Sequence, residues 1–174
     1  MCRLNKMNKR TVLAICLVIL LFILFAYIIM GGIVRVKSAK VYLNPYMSTA
    51  KVGQSVTVDV NISDVVNLFG WELKMRWNKT LLDGIKVIEG PFLKQSSNTL
   101  FRHTINNTEG FLLVDCTLLY SVPGVSGSGT LATVEFNVKS IGECSLDLYD
   151  TILVSSLEQP ISHEVTNGCF NAIP

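Results

Sequence analysis

The chain has 174 residues, a formal net charge of +2 and an apolar fraction of 49%. Its 15 Lys and Arg residues are scattered, which argues against the clustered basic face of a nucleic-acid-binding protein. The apolar excess is therefore the first feature to place.

The apolar excess lies at the N-terminus, where residues 11–34 carry no charged side chain. They follow Arg3, Lys6, Lys9 and Arg10, and about twenty apolar residues suffice to cross a bilayer. The run exceeds the roughly 7–15 apolar residues of a cleaved signal peptide. We therefore predict a transmembrane signal anchor, with residues 1–10 in the cytoplasm, a juxtamembrane linker at 35–38 and a domain at 39–174 outside the cell. Secretion after signal cleavage is the alternative.

The exported residues show the period of two that is typical of half-buried β-strands. Apolar Val56, Val58, Val60 and Ile62 alternate with polar residues, and Gly-, Pro- and Asn-rich turns separate further runs of this kind. The pattern predicts an all-β antiparallel sandwich. The predicted strands cover nine runs: 56–62, 71–77, 85–88, 100–105, 111–120, 130–138, 145–148, 152–154 and 169–173.

The five cysteines differ in their predicted surroundings. Cys2 precedes the apolar segment and Cys16 lies within it, so neither joins a framework outside the cell. Cys144 and Cys169 begin late strands, and a disulfide between them is a prediction for an oxidising compartment. Cys116 is predicted to be a small buried apolar residue.

Three sequons, at Asn61, Asn78 and Asn106, lie on predicted solvent faces or strand ends and are candidate N-glycosylation sites. No catalytic or metal-binding motif is recognisable. Neither His103 nor His163 has a carboxylate or nucleophile at motif spacing, and the acidic residues form no calcium loop. The sequence therefore predicts neither an enzyme nor a bound cofactor.

Several segments, in order, resemble cohesin domains. Residues 53–60 and 65–73 resemble the opening strands of the family, and residues 77–82 stand where its Tyr-Asp-Pro corner would be. Residues 89–93 (Glu-Gly-Pro-Phe-Leu) are similar to a Glu-Gly-x-Phe-Leu motif. The longest match is the glycine-rich loop and Leu-Ala-Thr strand at 124–136.

The resemblance implies a nine-stranded jelly-roll-like sandwich that binds, through one sheet face, the dockerin module of another protein. Calcium would then be bound by the dockerin and not by this chain. The binding face would be built from outward residues of the third, fifth and sixth strands, with two exposed leucines near its centre. The predicted partner-binding residues are Glu72, Lys74, Arg76, Arg102, Thr104, Leu113, Asp115, Thr117 and Leu119.

Two other functions stay open for this fold. A carbohydrate-binding module would stack exposed aromatic rings on sugars, and Tyr120 is a candidate, whereas Trp71 and Trp77 fall on the apolar parity and are predicted to pack in the core. A structural surface protein with no small ligand is the other possibility. The binding face has an ordinary interpretation too, in which Leu113 and Leu119 are covered by a loop and the charges only solvate the sheet.

Overall fold

The computed structural model describes residues 17–23 and 37–174. Residues 17–23 are helical, and within these two ranges no helix has the length and apolar character needed to span a bilayer. The predicted transmembrane segment covers residues 11–34, and its other residues, 11–16 and 24–34, lie outside the described ranges. Residues Lys37–Pro174 form one compact unit.

The compact unit contains ten strands and one short helical turn, Leu93–Gln95. In chain order the strands are β1 (Ala39–Asn44), β2 (Met47–Lys51), β3 (Ser55–Arg76), β4 (Leu82–Glu89), β5 (Thr99–Asn106), β6 (Phe111–Leu118), β7 (Val125–Val138), β8 (Gly142–Ser155), β9 (His163–Thr166) and β10 (Gly168–Ile173).

The strands form two layers that share β3. The first half of β3 pairs with β1 and β7, which extend to β9 and β4. The second half of β3 pairs with β6 and β8, which extend to β5, β10 and β2. Pairing is antiparallel except in β1–β9 and β2–β10. The predicted all-β sandwich is confirmed.

The predicted count of nine strands is wrong. The runs at 56–62 and 71–77 belong to the single 22-residue strand β3, and the runs at 145–148 and 152–154 both belong to β8. Register shifts interrupt β3 between Ile62 and Leu68, where Asp64 and Asn67 have positive φ. Such bulges break the sequence alternation without ending the strand. Strands β1, β2 and β9 were not predicted.

The core between the layers follows the predicted parity. Val58, Val60 and Ile62 are fully buried on one layer, and Leu112 and Val114 on the other. Burying an aliphatic side chain of this size contributes about 2 kcal/mol relative to leaving it exposed. The alternation therefore specifies which face of each strand points inward.

Both tryptophans belong to this core, as predicted, with 4% of each exposed. The Trp77 ring packs edge-on against Phe136 at 5.1 Å, and its indole N–H donates to the Leu82 carbonyl at 3.0 Å. The buried polar end of the indole is thus satisfied. Cys116, also predicted to be buried, is 3% exposed.

Candidate functional site

Four neighbouring strands, β5, β6, the second half of β3 and β8, present a continuous outward surface, hereafter the outer face. Strand register places their side chains in rows across it. One row contains Arg102, Asp115, Glu72 and Ile152, and the next contains Thr104, Leu113, Lys74 and Tyr149.

The outer face collects the residues that the sequence predicted on the third, fifth and sixth strands. Glu72, Lys74 and Arg76 lie on β3; the remaining members are Arg102, Thr104, Leu113, Asp115 and Thr117 on β5 and β6. The structure therefore brings these side chains together, while their role in binding stays a prediction.

The two leucines are less accessible than predicted. Leu113 and Leu119 are half-buried rather than exposed. Leu119 follows the end of β6, and its backbone N–H donates to the Asn98 carbonyl at 2.8 Å, so it lies in a shallow groove beside residues 94–99. Leu119 is thus a margin residue and Leu113 a central one.

Sequence reasoning missed the contribution of β8. Tyr149, Ile152 and Val154 lie opposite Lys74, Glu72 and Gly70, and Ile152 is 49% exposed. This accessible apolar side chain lies on β8 beside Glu72, whereas the sequence predicted the exposed apolar side chains to be leucines of β6. The alternation within 152–154 was a usable signal, but the bulge at Asp150 separated it from the preceding run.

A shallow recess of about 330 Å³ lies at the middle of the outer face. It forms where Gly70 stands between Thr117 and Val154, because glycine has no side chain to fill the row. A Cβ atom added at Gly70 would lie 3.2 Å from the Thr117 hydroxyl, so even a methyl group would be tight there. Ile152 and Val154 give the recess an apolar wall, and Glu72, Arg102 and Asp115 give it a charged one.

Two ion pairs cross the outer face. The Arg102 guanidinium donates to Asp115 Oδ1 from both Nε and a terminal nitrogen at 3.0 Å. The Lys74 ammonium donates to Asp150 at 3.0 Å, and this hydrogen bond raises the pKa of Lys74. Exposed pairs of this kind contribute less than about 1 kcal/mol to stability. Their main effect is to neutralise four of the charges on the face.

Two other charges on β3 lack such partners. Within residues 37–174, Glu72 and Arg76 make no side-chain hydrogen bond or ion pair. The Arg76 guanidinium carbon lies 4.9 Å from the centroid of the Tyr149 ring, a cation–π distance. The ring orients the guanidinium and leaves its hydrogen-bond donors free.

A partly buried polar cluster lies beside β6, around Glu89. Glu89 accepts hydrogen bonds from Thr99 and from the Cys116 thiol, and pairs with Lys94 at 2.8 Å. Burial opposes ionisation of Glu89, but the bonds from Lys94 and Thr99 outweigh it and lower its pKa. Burial, reinforced by the Glu89 charge, raises the pKa of Cys116 to about 12, so this thiol stays protonated. The cluster joins β4 and β6 to the 93–99 segment.

The predicted disulfide between Cys144 and Cys169 is not formed, and both residues are free thiols. In the β8–β10 ladder, Cys144 lies opposite Phe170, and Cys169 lies opposite Ser145. Successive residues of a strand point to opposite faces, so this register directs the two cysteines away from each other. Two cysteines at the starts of neighbouring strands form a disulfide only if the register points them to the same face.

The three sequons differ in accessibility. Asn78 is exposed, and its Oδ1 accepts from Thr80 at 2.8 Å, whereas Asn106 is half-buried at the end of β5. Asn61 lies on the predicted outward side of β3, between buried Val60 and Ile62, but it is half-buried with its Oδ1 enclosed and unbonded, so it is less accessible than predicted. It sits mid-sheet between Tyr42 and Thr130, which explains the crowding. Glycosylation at all three stays a prediction.

Comparison with known proteins gives a consistent result. The profile of the family described as "Cohesin domain" matches residues 44–171. No curated protein matches the chain. Among solved structures, a non-cellulosomal cohesin from the archaeon Archaeoglobus fulgidus is 18% identical, with a TM-score of 0.65 and coverage of 79% of this chain and 93% of that one.

Two further structures come from Acetivibrio cellulolyticus. A type II cohesin domain from its cellulosome is 20% identical, with a TM-score of 0.68 and coverage of 78% of this chain and 96% of that one. The sixth cohesin of its scaffoldin B, solved in complex with a mutant Cel5 dockerin, is 21% identical, with a TM-score of 0.65 and coverage of 79% and 100%. At these identities the likeness establishes the fold.

Proposed function

The chain belongs to the cohesin domain family, and from this membership we propose that it is a non-catalytic module that binds dockerin-bearing proteins through its outer face. Solved neighbours support the partner class, since cohesins of this fold are described in complex with dockerins. The partner's dockerin would carry the calcium, and its enzymatic domains would bring any link to polysaccharide breakdown.

The observation that carries the proposal is the composition of the outer face. Exposed Ile152 lines the Gly70 recess and half-buried Leu113 lies in the next row, with Glu72 and Lys74 of β3 between them. Accessible apolar side chains interleaved with charged ones can supply both buried area and polar contacts to a protein–protein interface.

The test is a binding measurement. The full chain in detergent is immobilised and titrated, with calcium, against the Cel5 dockerin, the Doc435 and Doc918 dockerins of Clostridium thermocellum, and the dockerins of its own genome. Ile152→Asp places a charge on the apolar wall of the Gly70 recess, and we expect affinity to fall by about 100-fold.

Ile85→Asp is the matched control, because Ile85 is equally exposed, at 51%, but lies on β4 of the other layer. It should bind as the unmodified chain does. Equal losses in the two variants would show that the outer face is not the binding surface. If no dockerin binds, retention on insoluble polysaccharide or self-association would support the carbohydrate-binding or structural alternatives instead.

We also propose that residues 11–34 hold the module at the cell surface, with the domain outside. The support is their lack of charge and the four basic residues before them.

A further inference from the structure

We propose that the module selects a partner carrying an acidic side chain against Arg76 and a basic side chain against Glu72. This inference rests on the proposed docking function and adds the charge pattern of the partner. It begins from the difference between paired and unpaired charges on the outer face.

Arg76 has an acidic neighbour in register but does not pair with it. Asp147 lies opposite Arg76 on β8, yet its carboxylate accepts from the Ser145 hydroxyl at 3.0 Å and the Asn167 amide at 3.2 Å. Neutral donors therefore bind the acid that faces Arg76 in register, and the exposed guanidinium on Tyr149 keeps its donors for another molecule. Guanidinium donors match a carboxylate in a two-bond geometry.

The surroundings of Arg76 fit a docked side chain. Arg76, Tyr149 and Phe111 line a shallow recess of about 360 Å³ at the end of the outer face, together with Lys74 and Glu109. Lys74 is neutralised by Asp150, so Arg76 is the unpaired cation of this recess, and the Glu109 carboxylate is the acidic group on the same recess that an incoming anion must avoid. Aromatic walls would shield that contact from water and strengthen it.

Glu72 supplies the second element of the pattern. It points outward from the same strand, four residues before Arg76, which corresponds to about 13 Å along the sheet. Between them lies only the neutralised Lys74. A partner with a cation and an anion about 13 Å apart would satisfy both sites, whereas a partner of the opposite polarity would be repelled at both.

The experiment uses the full chain in detergent and the dockerin that binds it most tightly in the panel described above. Arg76→Ala should weaken binding by about tenfold and Arg76→Glu by about 100-fold. Reversing one acidic residue of the dockerin to lysine should restore the affinity of the Arg76→Glu variant. Glu72→Lys should likewise be rescued by reversing a basic dockerin residue.

Tyr149 acts as a positioning residue in this scheme. Tyr149→Phe keeps the ring and should bind normally, while Tyr149→Leu should approach the loss seen with Arg76→Ala. Lys86→Glu is the charge control, because Lys86 is an exposed cation on β4, in the other layer.

Three outcomes separate the possibilities. The inference is supported if only the outer-face variants lose affinity for the dockerin and if charge reversal in the dockerin restores it. A dockerin that binds Arg76→Glu as tightly as the unmodified chain overturns the inference and leaves the docking function intact. Binding to no dockerin at all overturns both.

Discussion

Asn67 links three segments near the crossing of β3 between the two layers. Its side-chain Oδ1 accepts a hydrogen bond from the Gly124 N–H at 3.0 Å and another from the Ser156 hydroxyl at 2.9 Å. Its backbone φ of 60° lies in the left-handed region, which asparagine tolerates better than alanine does. Asn67→Ala should therefore lose two hydrogen bonds and strain the backbone.

The expected cost follows from these contacts. Two partly buried hydrogen bonds contribute about 1 kcal/mol each, and a left-handed alanine costs about 1 kcal/mol, for a loss of about 3 kcal/mol. Asn67→Gly loses the two hydrogen bonds but adds no backbone strain, so it should cost about 2 kcal/mol. Asn67→Asp keeps the accepting oxygen and should stay within about 0.5 kcal/mol of the original.

Urea unfolding followed by tryptophan fluorescence measures these differences, because both tryptophans are buried in the sandwich. In thermal unfolding, a domain of this size loses about 3 °C per kcal/mol, so Asn67→Ala should lower Tm by about 9 °C. If Asn67→Asp were as unstable as Asn67→Ala, the hydrogen bonds to Oδ1 would not be the cause. Equal effects of glycine and alanine would refute the role of φ.

Two further predictions concern Glu89 and the N-terminal segment. The pKa of Glu89 is lowered in the folded state, so its stabilising contribution is fully present above the ordinary glutamate pKa and is lost as pH falls through the folded pKa. The stability gap between the original and Glu89→Gln should narrow over that acidic range in urea titrations, and a constant gap would contradict the linkage. If residues 11–34 form an uncleaved anchor, the full-length chain should remain in the membrane pellet after alkaline carbonate extraction; recovery in the supernatant as a shortened chain would indicate cleavage.

The apolar parity of the strands could be predicted from the sequence because one face of each strand must be buried. The alternation placed Leu112, Val114 and Cys116 inside and Glu72 and Lys74 outside, as the structure has them. A slip of one residue would expose the whole apolar set, so this kind of pattern is strongly constrained.

The missed strands β1 and β2 have different explanations. β1 alternates, with Ala39, Val41 and Leu43 buried, and could have been recognised. β2 has no such signal, since Ser48 is its buried residue and Met47 is 60% exposed. It is a strand because of its parallel ladder with β10, a contact between distant segments that no local pattern encodes.

Which charged side chains pair with each other could not be predicted from the sequence either. Arg102 pairs with Asp115 because the β5–β6 register sets them side by side, while Arg76 faces Asp147 and remains unpaired. Both combinations contain one arginine and one acid on neighbouring strands. They differ in the donors that Ser145 and Asn167 supply to Asp147 and in the Tyr149 ring that lies against the Arg76 guanidinium.

The bulge at Asp150 determines the chemistry of the outer face more than any single side chain does. Tyr149 and Ile152 are three residues apart, and in a regular strand an odd separation would put them on opposite faces. In β8 they lie opposite Lys74 and Glu72, which are two residues apart on β3, so the bulge absorbs one residue and both side chains point outward. Asp150, with φ of 46°, occupies the bulge and holds Lys74. One local irregularity thus supplies the apolar side chain beside the central recess, the ring under Arg76 and the acid that leaves Arg76 as the unpaired cation.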